Sequence, residues 1–394
     1  MQVRQCQPGG RIYDYDVVVS TTAGPPWLTG PAYLSLWQAC GLAELGLRVA
    51  YLVPWVAPSG QAWLWRGQTF ATPQAHLEWL AGEIRRMGAP VVPDLFHYKG
   101  HVSKLLRSIV PVEDVFRAAP SARVHVLTEP EHLCWYPWAT PRPCVDAETV
   151  LGVVMTNYDY YIGRQGKIAA RLAAPLARWF HRHRIRRHTD WTVPMSPTAE
   201  ILTAGHTMRR GRVTGVLSHY AKVPPVGPKS GGAYFLGRLV WDKGLETVVR
   251  VAARMNLPID ILGEGPDMKA IEALARQTAA PVSFLGPTRT PWTHLDRYRV
   301  FFNPSLSENM CTTTAEALVA GRHVVMPDCP GNLPFKAYPN AHFYSDVDGA
   351  VAALTIAMTE DPVPPEAARR EFDWLNACRT LAGLWGEAGP RLPT

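Results

Sequence analysis

Two glutamates and two cations carry the chemistry that this 394-residue chain could perform. Glu308 and Glu316 stand with seven residues between them in the stretch from Arg299 to Gly321, and Arg238 and Lys243 lie in a glycine-flanked loop, Gly237 to Gly244. The run Val300 to Phe302 suits a buried parallel strand. Asn303-Pro304-Ser305 suits a turn, and the residues from about Cys311 suit a helix that stops at Gly321. Such a strand–loop–helix unit points the free N–H groups of its helix at an anion. Glu308 falls beside that anion site, and Glu316 about two turns further along, at a rise of ~1.5 Å per residue. A phosphorylated sugar or a nucleotide suits this layout: diphosphate oxygens face the helix end and hydroxyls donate to the carboxylates. A plain core helix with two surface glutamates suits it equally.

The cations sharpen the choice. Arg238 and Lys243 follow the first strand of the second half, and loops at the C-terminal ends of parallel strands share one edge of the sheet. Two fixed cations and a helix dipole there could stabilise a diphosphate leaving group. Taken singly, each cation reads as solvated. No Asp-x-Asp or His–carboxylate cluster stands in an obvious loop, so no metal and no other cofactor is expected.

The elements that must position these residues form two α/β halves. Strands are expected at Tyr15–Thr21, Leu47–Val53, Arg123–Leu127, Val150–Met155 and Trp191–Met195, with a helix from Pro31 to Gly46. The loop from Thr22 to Gly30 lacks GxGxxG, and no acidic residue ends the second strand, which argues against a nicotinamide cofactor. Pro54 to Pro73 reads as an irregular, Trp-bearing excursion, and His97 to Ser108 as a basic, polar stretch. Pro/Gly-rich Val223 to Gly232 reads as a linker. Beyond it, strands are expected at Ala233–Leu236, Ile259–Leu262, Val282–Leu285, Val300–Phe302 and Val324–Met326, with a helix at Leu245–Met255. The segment from Pro364 onward reads as helical. The expected division is residues 1–222, 223–363 and a C-terminal helical segment 364–394. The alternation means parallel sheets with helices on both faces.

A net charge of +7 invites phosphate-bearing or anionic-surface partners. The segment 164–188 has no acidic residue and interleaves Arg and His with Ile168, Leu172, Leu176, Trp179 and Phe180 at near-helical spacing. A basic amphipathic helix suits an anionic membrane surface, and equally a domain helix with a solvated basic face. No nucleic-acid motif accompanies it. Fourteen tryptophans, several in the first third, fit sites with one apolar and one wet side. The seven cysteines show no CxxC and read as reduced thiols. With no apolar leader and no long apolar run, the expectation is a cytoplasmic protein that associates peripherally with a membrane.

Together, Gly237-Arg238…Lys243-Gly244, Gly263-x-Gly265-Pro266 and Glu308-x7-Glu316 resemble retaining glycosyltransferases of the two-Rossmann, GT-B fold. More narrowly, the chain resembles the digalactosyldiacylglycerol synthases. The matching residues include Thr21-Thr22-Ala23, Pro26-Trp27, Thr29-Gly30, Glu129-Pro130-Glu131-His132-Leu133, Thr156-Asn157-Tyr158, Asn303-Pro304-Ser305 and Cys311-Thr312-Thr313-Thr314-Ala315-Glu316-Ala317-Leu318. The resemblance implies two Rossmann-like domains whose parallel sheets face across a cleft, with a C-terminal helix packing back on the first domain.

The roles that the resemblance implies are these. Arg238 and Lys243 hold the diphosphate of a UDP-hexose and, with Glu308, form the catalytic set. Glu308 and the backbone of Asn309, Met310 and Cys311 hold the donor sugar, beside Thr312. Glu316 binds the ribose, Gly263 and Gly265 line the nucleotide, and Gly30 approaches the phosphate. Trp27, Glu129, His132, Met155, Asn157 and Tyr158 stand on the acceptor side. The implied activity is metal-independent, retaining transfer of a hexose, galactose above all, to a membrane glycolipid. A soluble acceptor and a catalytically silent sugar-nucleotide binder are the alternatives. Two positions depart from the family pattern. The His expected directly before Thr-Asn-Tyr is Met155, which neither hydrogen-bonds a sugar hydroxyl well nor shuttles a proton. A His-Gly-Val is replaced by Thr214-Gly215-Val216.

Overall fold

The computed structural model describes residues 11–27, 29–65, 68–104, 108–156, 168–227, 230–306, 308–386 and 389–392, with the side chains of 168–173 left aside. Asn157, Tyr158 and the start of the basic segment lie outside them. The chain divides into two compact units. One holds residues 1–194, 202–213 and 378–394, the other residues 195–201 and 214–377. The Pro/Gly-rich stretch 223–232 therefore lies inside the second unit.

In the first unit the strands are β1 (Tyr15–Ser20), β2 (Val49–Val56), β3 (Asp94–Ser103), β4 (Ser108–Pro111), β5 (Ala122–Thr128), β6 (Thr149–Val154) and β7 (Trp191–Pro194). Their order is β4-β3-β2-β1-β5-β6-β7, parallel throughout except for the antiparallel β3–β4 pair. The central strands read as near-continuous Val/Ile/Leu runs because both faces are covered: Val17, Val18, Val19, Leu52, Val124, Val126 and Val150 are all fully buried. Each such side chain stabilises the fold by about 1.5–3 kcal/mol through burial.

Two sequence expectations change here. The Trp-bearing excursion contains the end of β2 and a helix, Pro58–Leu64. The basic stretch from His97 is strand β3 paired with β4. Polar side chains at the edge of a sheet gave the strand no clean period-2 signal. Of the tryptophans of this region Trp63 is exposed, while Trp55, Trp65 and Trp79 pack inward. Trp55, Trp65, Phe70 and Trp79 surround His76, which stacks on His97 at 5.1 Å. His76 Nε2 lies 2.8 Å from the Pro25 carbonyl and its Nδ1 2.9 Å from His97 Nε2. Burial lowers both imidazoles, His97 to about 3, so at neutral pH each is uncharged and the ladder runs from His97 through His76 to Pro25.

The second unit carries β8 (Gly232–Leu236), β9 (Ile259–Leu262), β10 (Val282–Gly286), β11 (Tyr298–Phe302), β12 (His323–Pro327) and β13 (Ala341–Tyr344). Their order is β10-β9-β8-β11-β12-β13, parallel at every pairing. This is the doubly wound order, in which the chain reverses direction between β8 and β11 and leaves a crevice at the strand C-termini. The first unit repeats it, with its reversal between β1 and β5 and β4 added at the edge. The second core gathers Phe235, Val248, Val249, Ile261, Val300, Phe302 and Leu354. No helix among the described residues is long and apolar enough to cross a membrane.

The C-terminal segment is two helices, Glu366–Glu371 and Trp374–Gly383, broken where Val216 N–H donates to the Phe372 carbonyl at 2.7 Å. Residues 378–394 belong to the first unit: Thr149 Oγ1 donates to the Trp385 carbonyl at 3.3 Å, and Trp385 is 1% exposed.

The basic helix spans Ile168–His188. Its buried side is Arg184, Ile185 and His188, and the Arg184 guanidinium donates to the Cys134 and Tyr136 carbonyls. Leu176 and Trp179, by contrast, are 66% and 63% exposed. Of the apolar stripe seen in the sequence, Leu176 and Trp179 therefore face solvent beside Arg178 and Arg182, and Phe180 is half-buried.

Candidate active site

In the second unit the structure brings the expected residues to one edge of the sheet. β11 ends at Phe302, and the Asn303 side chain then shapes the turn: its Oδ1 accepts from Ser305 N–H at 3.2 Å and its Nδ2 donates to Thr314 Oγ1 at 3.2 Å. The helix that follows is Thr312–Val319, with Cys311 at its N-cap and Thr312 as its first residue. It stops as the sequence suggests. Gly321 has φ +72°, Gly321 N–H donates to Leu318 and Arg322 N–H to Ala317. This is the paired closure that a left-handed glycine permits.

Lys243 reaches this loop from the end of β8. Its Nζ donates to Glu308 Oε1 at 2.6 Å, in a pair with side-chain exposures of 28% and 11%. Gly244, at φ +75°, makes the approach possible: a Cβ there would sit 2.4 Å from the Pro304 carbonyl oxygen. Arg238 stands on the same loop, exposed, its carbonyl accepting from Val240 N–H at 3.0 Å and its guanidinium making no hydrogen bond or ion pair among the described residues. Burial pushes the Cys311 thiol up to about 11, the nearby Glu308 adding to the effect, so its sulfur stays protonated at the head of the helix. Met310 is half-buried in the loop between.

Glu316 lies one helical layer deeper. The residue as a whole is half-buried, but enclosure of its carboxyl pushes it up to about 7, opposed by a hydrogen bond from Tyr220. The folded value lies above the unfolded one of about 4.3, so the ligand-free fold is favoured by the proton. That stability is fully present below the unfolded value and is lost as pH rises through about 7. A ribose needs the opposite state, a carboxylate that accepts from its hydroxyls. UDP affinity is therefore expected to weaken about tenfold between pH 8 and pH 6, and Glu316→Gln is expected to flatten that profile. Calorimetric titration across the range checks it, and an unchanged slope in the variant rejects the assignment.

Gly263 and Gly265 are explained by the chain itself. Gly263 has φ +138°, and a Cβ there would lie 1.9 Å from the Gly237 oxygen; a Cβ on Gly265 would lie 2.1 Å from the Leu239 oxygen. Leu239 N–H donates to the Glu264 carbonyl at 3.0 Å. The close approach these glycines allow is to the loop that carries Arg238 and Lys243, so they position that loop.

Sequence reasoning missed two supports. Ser196 Oγ donates to Asn309 Oδ1 at 3.5 Å, and Thr198 Oγ1 donates to the same oxygen and to the Glu308 carbonyl at 3.4 Å. Gly331 packs so closely that its Cβ would fall 1.9 Å from the Glu308 oxygen. The Pro330-Gly331 pair signals a turn, but nothing in the sequence says which backbone it meets.

In the first unit Glu129 follows β5 and is 3% exposed, with left-handed backbone at φ 61°, ψ 63°. Thr22 Oγ1 donates to its Oε2 at 2.5 Å and Thr156 Oγ1 to its Oε1. Both carboxylate oxygens are thus engaged by the loops after β1 and β6, and Glu129 is enclosed. His132 is also buried, lowered by burial, and Met155 is 6% exposed. Trp27 is half-buried and packs on Val56, Val102 and Ile109. Gly30 opens the helix Gly30–Glu44, capped by Thr29, with open space where a Cβ would stand. Among the described residues no group of three or more His, Cys, Asp or Glu is placed to hold a metal ion.

Residues 232–354 match the family model described as glycosyl transferases group 1. Digalactosyldiacylglycerol synthase 2 of Glycine max is 31% identical over 383 residues, covering 91% of this chain and 80% of that protein. Digalactosyldiacylglycerol synthase 1 of Lotus japonicus is 31% identical over 381 residues, covering 91% of this chain and 47% of its own length; this chain spans about half the length of such relatives. Among solved structures, sucrose-phosphate synthase of Thermosynechococcus elongatus superposes with a TM-score of 0.64 at 14% identity, covering 94% and 98% of the two chains. Anabaena HepE in complex with UDP and glucose gives 0.62 at 10% identity, covering 95% and 100%. These likenesses show the fold, and the longer sequence matches show the family: the chain belongs to the digalactosyldiacylglycerol synthase family of GT-B glycosyltransferases.

Proposed function

We propose that this protein is a retaining glycosyltransferase that moves a hexose, most simply galactose, from a UDP-sugar to a membrane glycolipid such as a glycosyldiacylglycerol. The observation that carries the reading is the Lys243–Glu308 pair at the strand reversal of the second unit, beside the helix that bears Glu316. The relatives' names supply the acceptor class, and the solved complex of Anabaena HepE with UDP and glucose suits the donor. Lys243 and Arg238 would bind the diphosphate, Glu316 the ribose, and Glu308 with the Asn309–Cys311 backbone the sugar. As the anomeric bond to phosphate breaks, the leaving oxygen gains charge that the cations and the helix N-terminus stabilise. The departing phosphate takes the proton of the acceptor hydroxyl, which attacks from the same face and so retains configuration.

The reaction runs without a metal in this reading, and a chelator in excess is expected to leave the rate unchanged. The direct test is transfer of labelled galactose from UDP-galactose to monogalactosyldiacylglycerol in mixed micelles, with the anomeric configuration of the product read by NMR. Inversion or absence of transfer would reject it. The exposed Trp179 with half-buried Arg178 and Arg182 beside it on the basic helix supports docking on an anionic bilayer, at ~1 kcal/mol per cation near the surface. Flotation with vesicles containing anionic lipid is expected at low salt and lost in Arg178→Glu/Arg182→Glu. Met155, in place of the family's His, favours one second reading, a sugar-nucleotide binder without turnover. Tight UDP binding with neither transfer nor hydrolysis would select it.

A further inference from the structure

At the opposite end of the first unit's sheet from Glu129 lies a second set of groups that the transfer reaction does not use. Two adjoining cavities, about 450 and 410 Å³, share Trp138 and Arg117 in their walls. The larger is bounded by Pro120 and Ser121, which precede β5, and by Val145 and Asp146, which precede β6. It therefore opens at the N-terminal edge of the strands.

Trp138 is 61% exposed yet held in place. One face stacks on Tyr136 at 5.0 Å between centroids, with the rings 28° apart. Tyr136 is itself fixed, its hydroxyl donating to the Glu113 carbonyl at 2.5 Å and accepting from Val115 N–H at 3.2 Å. A fixed, exposed indole offers a large apolar face for stacking at little further cost in conformational entropy.

The charged groups around the indole carry no net positive charge, with Glu113 and Asp114 lining the smaller cavity and Asp146 the larger beside Arg117. Arg117 lies 3.9 Å from Asp114, whose Oδ2 already accepts from Thr140, and Asp146 pairs with Arg11. Facing them, His125 is 4% exposed and lines the larger cavity, with no hydrogen-bond partner for its Nδ1 among the described residues. Burial lowers this imidazole to about 4, so the ring is neutral and offers one donor and one acceptor. A buried polar atom without a partner marks this wall of the cavity as under-satisfied.

We infer that the Trp138 cavities form a binding site for a neutral sugar ring, whose C–H face lies on the exposed indole while its hydroxyls meet Arg117, Asp146 and His125. A phosphate would find no net positive charge there, and a purely apolar ligand would strand the polar rim. The site is separate from the edge where transfer is proposed, so the inference stands or falls independently of that reading.

Saturation-transfer NMR with methyl β-D-galactopyranoside and the full chain tests it. Transfer to the ring C–H protons is expected, reduced at least fivefold in Trp138→Ala and largely kept in Trp138→Phe. The exposure of Trp138 means that the alanine variant should fold, and an unaltered melting temperature verifies it. A signal insensitive to Trp138→Ala, displacement of the glycoside by inorganic phosphate, or no transfer at 50-fold the protein concentration rising to ~20 mM glycoside (about 2 kcal/mol of affinity at most) would overturn the inference. Neutral vesicles with and without a galactolipid form a second arm. Trp138-dependent flotation confined to the galactolipid vesicles would identify the sugar's source as a lipid headgroup, and its absence, with the soluble glycoside still bound, a free glycoside.

Discussion

Lys243→Ala should lower kcat/KM for sugar transfer by about 10²–10³-fold, the range seen when one preorganised group facing developing charge is removed. It should also destabilise the ligand-free second unit. The ammonium lies 2.6 Å from Glu308, which is only 11% exposed at its side chain, and truncation leaves that carboxylate enclosed without its counter-charge. The double variant Lys243→Met/Glu308→Gln should therefore be more stable than Lys243→Ala while being no more active. A coupling of about 1–2 kcal/mol in the thermal cycle would fit a partly buried pair. Additive melting shifts would show that the pair is merely adjacent, and wild-type turnover in Lys243→Ala would remove the residue from the reaction altogether.

Glu129 carries the second large effect. Glu129→Ala removes an enclosed carboxylate that accepts from two hydroxyls, at a cost of about 2–4 kcal/mol, and keeps the left-handed backbone that a Cβ disfavours. Glu129→Gly removes the same bonds but relaxes φ 61°, so it should be more stable than the alanine variant by about 1 kcal/mol. Thr22→Val and Thr156→Val should each reproduce part of the loss and show strong non-additivity with Glu129→Ala. Equal stability of the alanine and glycine variants would mean that the backbone at this position stores no strain. Because the carboxylate holds the loops after β1 and β6 rather than a ligand, its loss should raise KM for acceptor while leaving UDP affinity unchanged.

The contrast between Glu308 and Glu129 shows what could be read before folding. Glu308, Glu316 and Lys243 were legible because a strand, a turn and a capped helix fix their spacing locally, and the parallel alternation fixes which loops share an edge. The glycine stop at Gly321 was legible for the same reason, since its hydrogen bonds lie within one turn. Glu129 was visible as a polar residue just past a strand, but its partners are 107 and 27 residues away in the chain, and nothing local separates a buried clasp from an acceptor contact. Gly263 and Gly265 were read as ligand-facing because a missing side chain looks the same whether a phosphate or a carbonyl fills the space. Strand β3 was lost among its own histidines and lysine, and the stripe Leu176–Trp179 was found correctly although the surface it faces was not decided by its periodicity.

Both units are doubly wound, and both close the point of strand reversal with a glutamate, yet the two closures differ in kind. Between β1 and β5 the carboxylate of Glu129 is fastened by neutral hydroxyls inside the protein, so the crevice that would suit a nucleotide's phosphates is already filled by an anion of the chain's own. Between β8 and β11 the carboxylate is held by a lysine, and a lysine can exchange one anion for another. An architecture built twice is in this way made single-headed, with a permanent plug in one socket and a removable pin in the other, and the stoichiometry expected under the proposed function is one nucleotide per chain.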